Sequence, residues 1–118
     1  YPGHILTKYP NNRFAKPHIR RVTLNGIEKG LYNTIFVWAE GKFCKLNQIN
    51  NIIIGKSKNK SWRVADDISD HFCFEMNANG KSLFFKCANQ YERDFLVNGF
   101  RLLLEQLKRI SISLSSQH

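Results

Sequence analysis

The residues of this chain best suited to chemistry are cations. Lys8, Arg13, Lys16, Arg20 and Arg21 fall in one stretch made of a first strand, a loop and a second strand. A lysine or arginine near an anionic leaflet contributes about 1 kcal/mol, so together they supply several. Arginine suits phosphate especially well, because its planar fork makes two parallel hydrogen bonds. Tyr9 and Phe14 lie in the same stretch, where an aromatic tip reaches the interface between head groups and acyl chains. A second basic run, Lys56-Ser57-Lys58-Asn59-Lys60 followed by Arg63, adds to the positive charge. Lys42 and Lys45 are weaker candidates, and Lys81 and Lys86 are expected to face solvent. The chemistry implied is attraction of anions, not the breaking of bonds.

Nothing in the sequence points to catalysis. His4, His18, His71 and His118 are scattered, and no serine or cysteine sits in a nucleophile motif. Asp66, Asp67 and Asp70 lack the glycine and terminal glutamate of a calcium loop. His71 and Cys73 are spaced to share a strand face, yet two groups do not make a zinc site. There is no glycine-rich phosphate cradle. The chain reads as a non-enzyme with no cofactor and no metal.

Positive charge marks the whole chain: 18 Lys and Arg against 9 Asp and Glu give a formal net charge of +9. Such an excess implies an anionic partner, whether a membrane leaflet, nucleic acid or an acidic protein. Nucleic acid is not expected, because the aromatics alternate as core and form no stacking platform. The three cysteines, Cys44, Cys73 and Cys87, have no CxxC spacing and read as buried thiols, which fits a reducing compartment. The longest apolar run, Ile52-Ile53-Ile54, is far too short to span a bilayer. The chain begins at Tyr1 without a methionine, so any targeting or acylation signal upstream of it would be invisible in this sequence.

The elements that must position these groups follow from periodicity. Strands are expected over His4–Tyr9, His18–Asn25 and Thr34–Ala39. A fourth, Phe43–Ile49 with Asn51–Gly55, is expected to be interrupted by a bulge near Gln48–Asn50. Trp62–Ala65 reads as a fifth. His71–Asn77 and Lys81–Ala88 form a closing hairpin through Asn79-Gly80, a turn pair that tolerates φ > 0. Phe72, Phe74 and Met76 alternate on one strand of it, and Leu83, Phe85 and Cys87 on the other. Asn89 and Glu92 have the spacing of a capping box, opening a helix from Gln90. Phe95, Leu96, Gly99, Leu102, Leu103, Gln106 and Leu107 mark its apolar face, with Lys108 and Arg109 in the last turn. The expectation is one domain over residues 1–110 with a C-terminal tail, 111–118. It is mainly β, a seven-stranded antiparallel barrel or sandwich capped by one C-terminal helix.

With these elements in hand, the chain resembles the pleckstrin-homology (PH) family over nearly its whole length. Lys16-Pro-His-Ile-Arg-Arg-Val-Thr-Leu24 looks like that family's second strand, and Leu46–Gly55 is similar to its fourth. The F-x-F strand, L-x-F-x-A strand and E-R-x-F-x-x-G-x-x-x-L helix of Phe72–Leu104 carry the resemblance furthest. Phe95 stands where the family has a helix tryptophan. The Asn-, Ile- and Lys-rich character is similar to the acylated PH-domain proteins of apicomplexan parasites, which bind phosphatidic acid. The fold is shared by the inner-membrane-complex sub-compartment proteins, which lack phosphoinositide binding.

The resemblance implies a peripheral lipid-binding module on the cytoplasmic face of an intracellular membrane. Its partner would be an acidic phospholipid, phosphatidic acid or a phosphoinositide. In lipid-binding PH domains a first-strand lysine and a Lys/Arg-x-Arg on the second strand converge on phosphate. Lys8 fits the first position, Arg20 the last, and His18 stands at the middle one. An unperturbed histidine is mostly uncharged at neutral pH, which favours a simple head group over a polyphosphorylated inositol. Lys56, Lys58 and Lys60 would flank the same open end. The alternative is a PH-like scaffold for a protein partner, using the barrel face or an exposed Phe100, Trp38 or Trp62.

Overall fold

Asn79 and Gly80 have φ of 53° and 78°, the left-handed pair that a two-residue hairpin turn requires. They join β6 (Cys73–Ala78) to β7 (Lys81–Lys86), as the sequence predicts. The computed structural model of the chain describes residues 3–10, 16–56 and 69–116. Before this hairpin come β1 (His4–Tyr9), β2 (His18–Asn25), β3 (Ile35–Ala39), β4 (Lys42–Lys45) and β5 (Ile49–Ile54). After it comes α1 (Gln90–Ser116). The strands form one seven-stranded sheet, ordered β4-β3-β2-β1-β7-β6-β5, with every pairing antiparallel. This is a mainly β fold with the layout of a PH-like sandwich and a C-terminal helix.

The sheet is folded over on itself. Phe36 on β3 and Phe85 on β7 are separated by two strands, which in a flat sheet would hold them about 14 Å apart. Their ring centroids are 5.9 Å apart and meet edge-on. Phe100 of α1 meets Phe36 the same way at 5.3 Å, and Phe74 stacks on Phe85 at 5.4 Å. These rings centre a core that draws Leu6, Val22 and Cys44 from one half of the sheet and Ile52, Met76 and Leu83 from the other. Alternation supplies it directly, since Leu6, Val22, Phe36 and Cys44 all point inward from their strands. A separate small cluster of Tyr9, Cys73 and Phe84 is buried on the opposite face.

The helix is fixed at its start. Asn89 Oδ1 accepts from the Glu92 N–H at 2.9 Å, and Glu92 Oε1 accepts in return from the Ala88 N–H at 2.8 Å. Glu92 Oε2 also meets His4 Nδ1 at 3.1 Å, tying β1 to the first helical turn. Arg93 is buried, and its Nη1 donates to the carbonyls of Asp70 and Cys73 at 3.2 and 3.1 Å. Arg101 Nη2 donates to the Ile52 carbonyl at 3.0 Å, occupying a backbone group on edge strand β5.

Four expectations are corrected. The fourth strand is two strands, β4 and β5, divided by a 3-10 turn over Leu46–Gln48. Leu46 is fully buried there, and the turn carries the chain from one edge of the sheet to the other. Phe72 lies in another 3-10 turn, Asp70–Phe72, ahead of β6. The buried helix face is Arg93, Leu96, Val97, Phe100 and Leu107, whereas Phe95, set against the family's helix tryptophan, is 65% exposed and Leu102 is exposed too. Lastly, α1 continues through the expected tail to Ser116, because no glycine or proline after Ile110 stops it. Lys108 and Arg109 are therefore not in its last turn. The expected strand Trp62–Ala65 lies outside the described residues.

Candidate functional site

Each strand of the first half carries a second inward-pointing residue beyond its core residue, toward the loops at one end of the fold. Two positions after Leu6 comes Lys8, and two before Val22 comes Arg20, with His18 two further. Two after Phe36 comes Trp38, and two before Cys44 comes Lys42. Strand parity therefore delivers three permanent cations, one histidine and one indole to the same side of the sheet. Lys8 and His18 are direct cross-strand partners, and Arg20 pairs with Leu6. Together with Pro10 they line a recess of about 210 Å³. Among the described residues, no aspartate or glutamate lines it.

The electrostatics match the geometry. Burial pushes the Lys8 ammonium below the ordinary lysine value of 10.5, and repulsion from Lys42 and then Arg20 pushes it further. A half-buried cation facing two others is held at a cost, which an incoming anion removes. Trp38 has its ring centroid 5.8 Å from that of Phe36, so the wall of the recess is anchored in the core.

The sequence-predicted residues divide clearly. Lys8, His18 and Arg20 are brought together. Lys16 is exposed at the approach to β2 and does not line the recess. Arg21 is exposed on the opposite face of β2, paired across the strands with Ile5. Tyr9 is 4% exposed and packs with Cys73 and Phe84, so it is a core residue and not a membrane-inserting one. Lys56 is also displaced from the expected place. Its N–H donates to Asp70 Oδ1 at 2.8 Å, and it follows β5, three strands along the sheet from Lys8. Arg13, Phe14, Lys58, Lys60 and Arg63 lie outside the described residues.

Lys42 and Trp38 are the recess residues that patterning undervalued. The signal was their even spacing from Cys44 and Phe36. The remaining reactive groups offer little chemistry. Burial pushes the Cys44 and Cys73 thiols up to about 11 and Cys87 up to about 12, so all three stay protonated at neutral pH. Among the described residues no cluster of three or more His, Cys, Asp or Glu is placed to hold a metal ion. No helix among them is long and apolar enough to cross a membrane.

A second concavity, of about 350 Å³, runs between α1 and β2. Leu24, Ile27, Phe36, Phe95, Gly99 and Leu102 are among its walls, which are almost wholly apolar. Compared with protein-family models and with curated proteins, the chain matches none.

Proposed function

We propose that the protein is a peripheral membrane-binding module that takes an acidic phospholipid head group in the recess of Lys8, Arg20 and Lys42. The observation that carries this reading is the convergence of three cations from three strands on one concavity that, among the described residues, has no lining carboxylate. Arg20 supplies the two-pronged contact to phosphate oxygens, Lys8 and Lys42 supply charge, and His18 and Trp38 form the wall. A head group of one phosphate suits this set better than a polyphosphorylated inositol, because His18 stands where a third strand cation would be. Phosphatidic acid is the simplest such ligand. In this reading the chain acts at the cytoplasmic face of an intracellular membrane.

The test is co-sedimentation with vesicles of phosphatidylcholine alone or with added phosphatidic acid. The wild type sediments with the acidic vesicles, and the triple variant Lys8→Ala, Arg20→Ala, Lys42→Ala does not, while its far-ultraviolet circular dichroism is unchanged. Equal sedimentation of the two proteins removes the reading.

The groove beside α1 favours a second reading, a scaffold for a protein partner. Phe95 and Leu102 are exposed along it, whereas Phe100 is buried and Trp38 packs on the core. A partner captured by the wild type and lost with Phe95→Ser and Leu102→Ser, at undiminished vesicle binding, would support that reading instead.

A further inference from the structure

The outer face of the sheet is treated differently in its two halves. Over β6, β7 and the end of β1 it is closed, with Cys73, Phe84 and Tyr9 buried. Over β1 to β4 it is open. Ile19 there is 74% exposed and Phe43 is 56% exposed. Both lie at the recess end of their strands. Ile19 stands between His18 and Arg20 on β2, and Phe43 directly follows Lys42 on β4, after the Glu40-Gly41 turn. Because successive side chains point to opposite faces, the cations line the inside of this lip and the two large apolar side chains stand on its outside.

Charge decides what such a lip can meet. The four strands β1 to β4 contain five Lys or Arg (Lys8, Arg20, Arg21, Lys42 and Lys45) and no Asp or Glu. Arg21 and Lys45 are exposed on the outer face itself, beside Ile5 and Phe43. A second copy of the chain would bring like charge against like, as the net charge of +9 makes plain. An anionic bilayer answers both features, since it neutralises the cations and accepts the apolar side chains below its head groups.

We propose that the outer lip of β2 and β4 is a membrane-contact surface in which Ile19 and Phe43 enter an anionic bilayer beside the head group held in the recess. The inference rests on the head-group reading and adds a second anchor to it. Insertion and head-group capture would then reinforce each other, as two linked weak contacts do.

Three proteins are compared on vesicles of phosphatidylcholine with phosphatidic acid: wild type, the variant Ile19→Ser with Phe43→Ser, and the recess triple variant. The lip variant is expected to bind about tenfold more weakly or worse, from the apolar area it no longer buries. In parallel, Phe43→Trp is titrated with vesicles brominated along the acyl chain. Its added fluorescence is expected to be quenched. If the lip variant binds as wild type while the recess variant does not, the recess stands and the lip proposal falls. An unquenched Trp at position 43 also overturns it. If wild type ignores acidic vesicles, both proposals fall together.

Discussion

Lys8 is the residue whose replacement is most informative. The side chain is half-buried, and its ammonium is disfavoured first by burial and then by Lys42 and Arg20. Lys8→Met keeps the length of the stem and removes the charge, so the free protein is expected to become more stable. The gain is small, about 0.5 kcal/mol, because half the side chain still faces water and salt screens the repulsion. For a chain of this size that is roughly 2 °C in Tm. The pH dependence carries a definite sign. Folding lowers the Lys8 value below the 10.5 of the unfolded chain, so between those values the unfolded state binds more protons. The penalty is therefore full at neutral pH and fades as pH rises toward 10.5, and the advantage of Lys8→Met fades with it. Affinity moves the other way: losing one cation is expected to cost about 1 kcal/mol, or fivefold, in binding to acidic vesicles. Thermal denaturation from pH 7 upward, paired with vesicle binding, reads both. A variant that melts lower at pH 7 and binds acidic vesicles undiminished would refute the reasoning.

Other expectations concern the frame around the recess. Arg93→Met removes the side-chain donor to the carbonyls of Asp70 and Cys73, which keep the backbone N–H groups of Cys73 and Gly55, and is expected to cost about 2 kcal/mol in urea unfolding. The orientation of α1 predicts a contrast between neighbours: Leu96→Ala destabilises by about 2–5 kcal/mol, whereas Phe95→Ser changes stability by less than about 1. The buried thiols are expected to resist an aromatic disulfide reagent at pH 8 until the protein unfolds. Their folded values of about 11 to 12 exceed the ordinary 9.0, so the stability they contribute is complete below pH 9 and is lost as pH rises through 11.

Much of the fold is legible in the sequence because strand and turn signals are local. The Asn79-Gly80 turn, the Asn89 cap and the alternation of Leu83, Phe85 and Cys87 each depend on residues within reach of one another, and each is found in the structure. The helix face is not legible in the same way. α1 carries one apolar series through Leu96, Phe100, Leu103 and Leu107 and another through Phe95 and Leu102. Spacing alone cannot say which meets the sheet; the burial of Arg93 against the Asp70–Phe72 turn selects the first. Tyr9 illustrates the same limit, since its place beside a loop suggested exposure while Phe84 across the strands buries it. The recess was half visible. Lys8, His18 and Arg20 lie on paired strands, but Lys42 joins them only once the β3–β4 hairpin is laid beside β2.

The most direct measurement is a two-dimensional 15N NMR titration with a soluble short-chain phosphatidic acid. The account predicts chemical-shift changes concentrated at Lys8, His18, Arg20, Trp38 and Lys42, including the Trp38 indole N–H. Changes centred instead on Phe95, Gly99 and Leu102, or spread evenly over every exposed lysine, would contradict it.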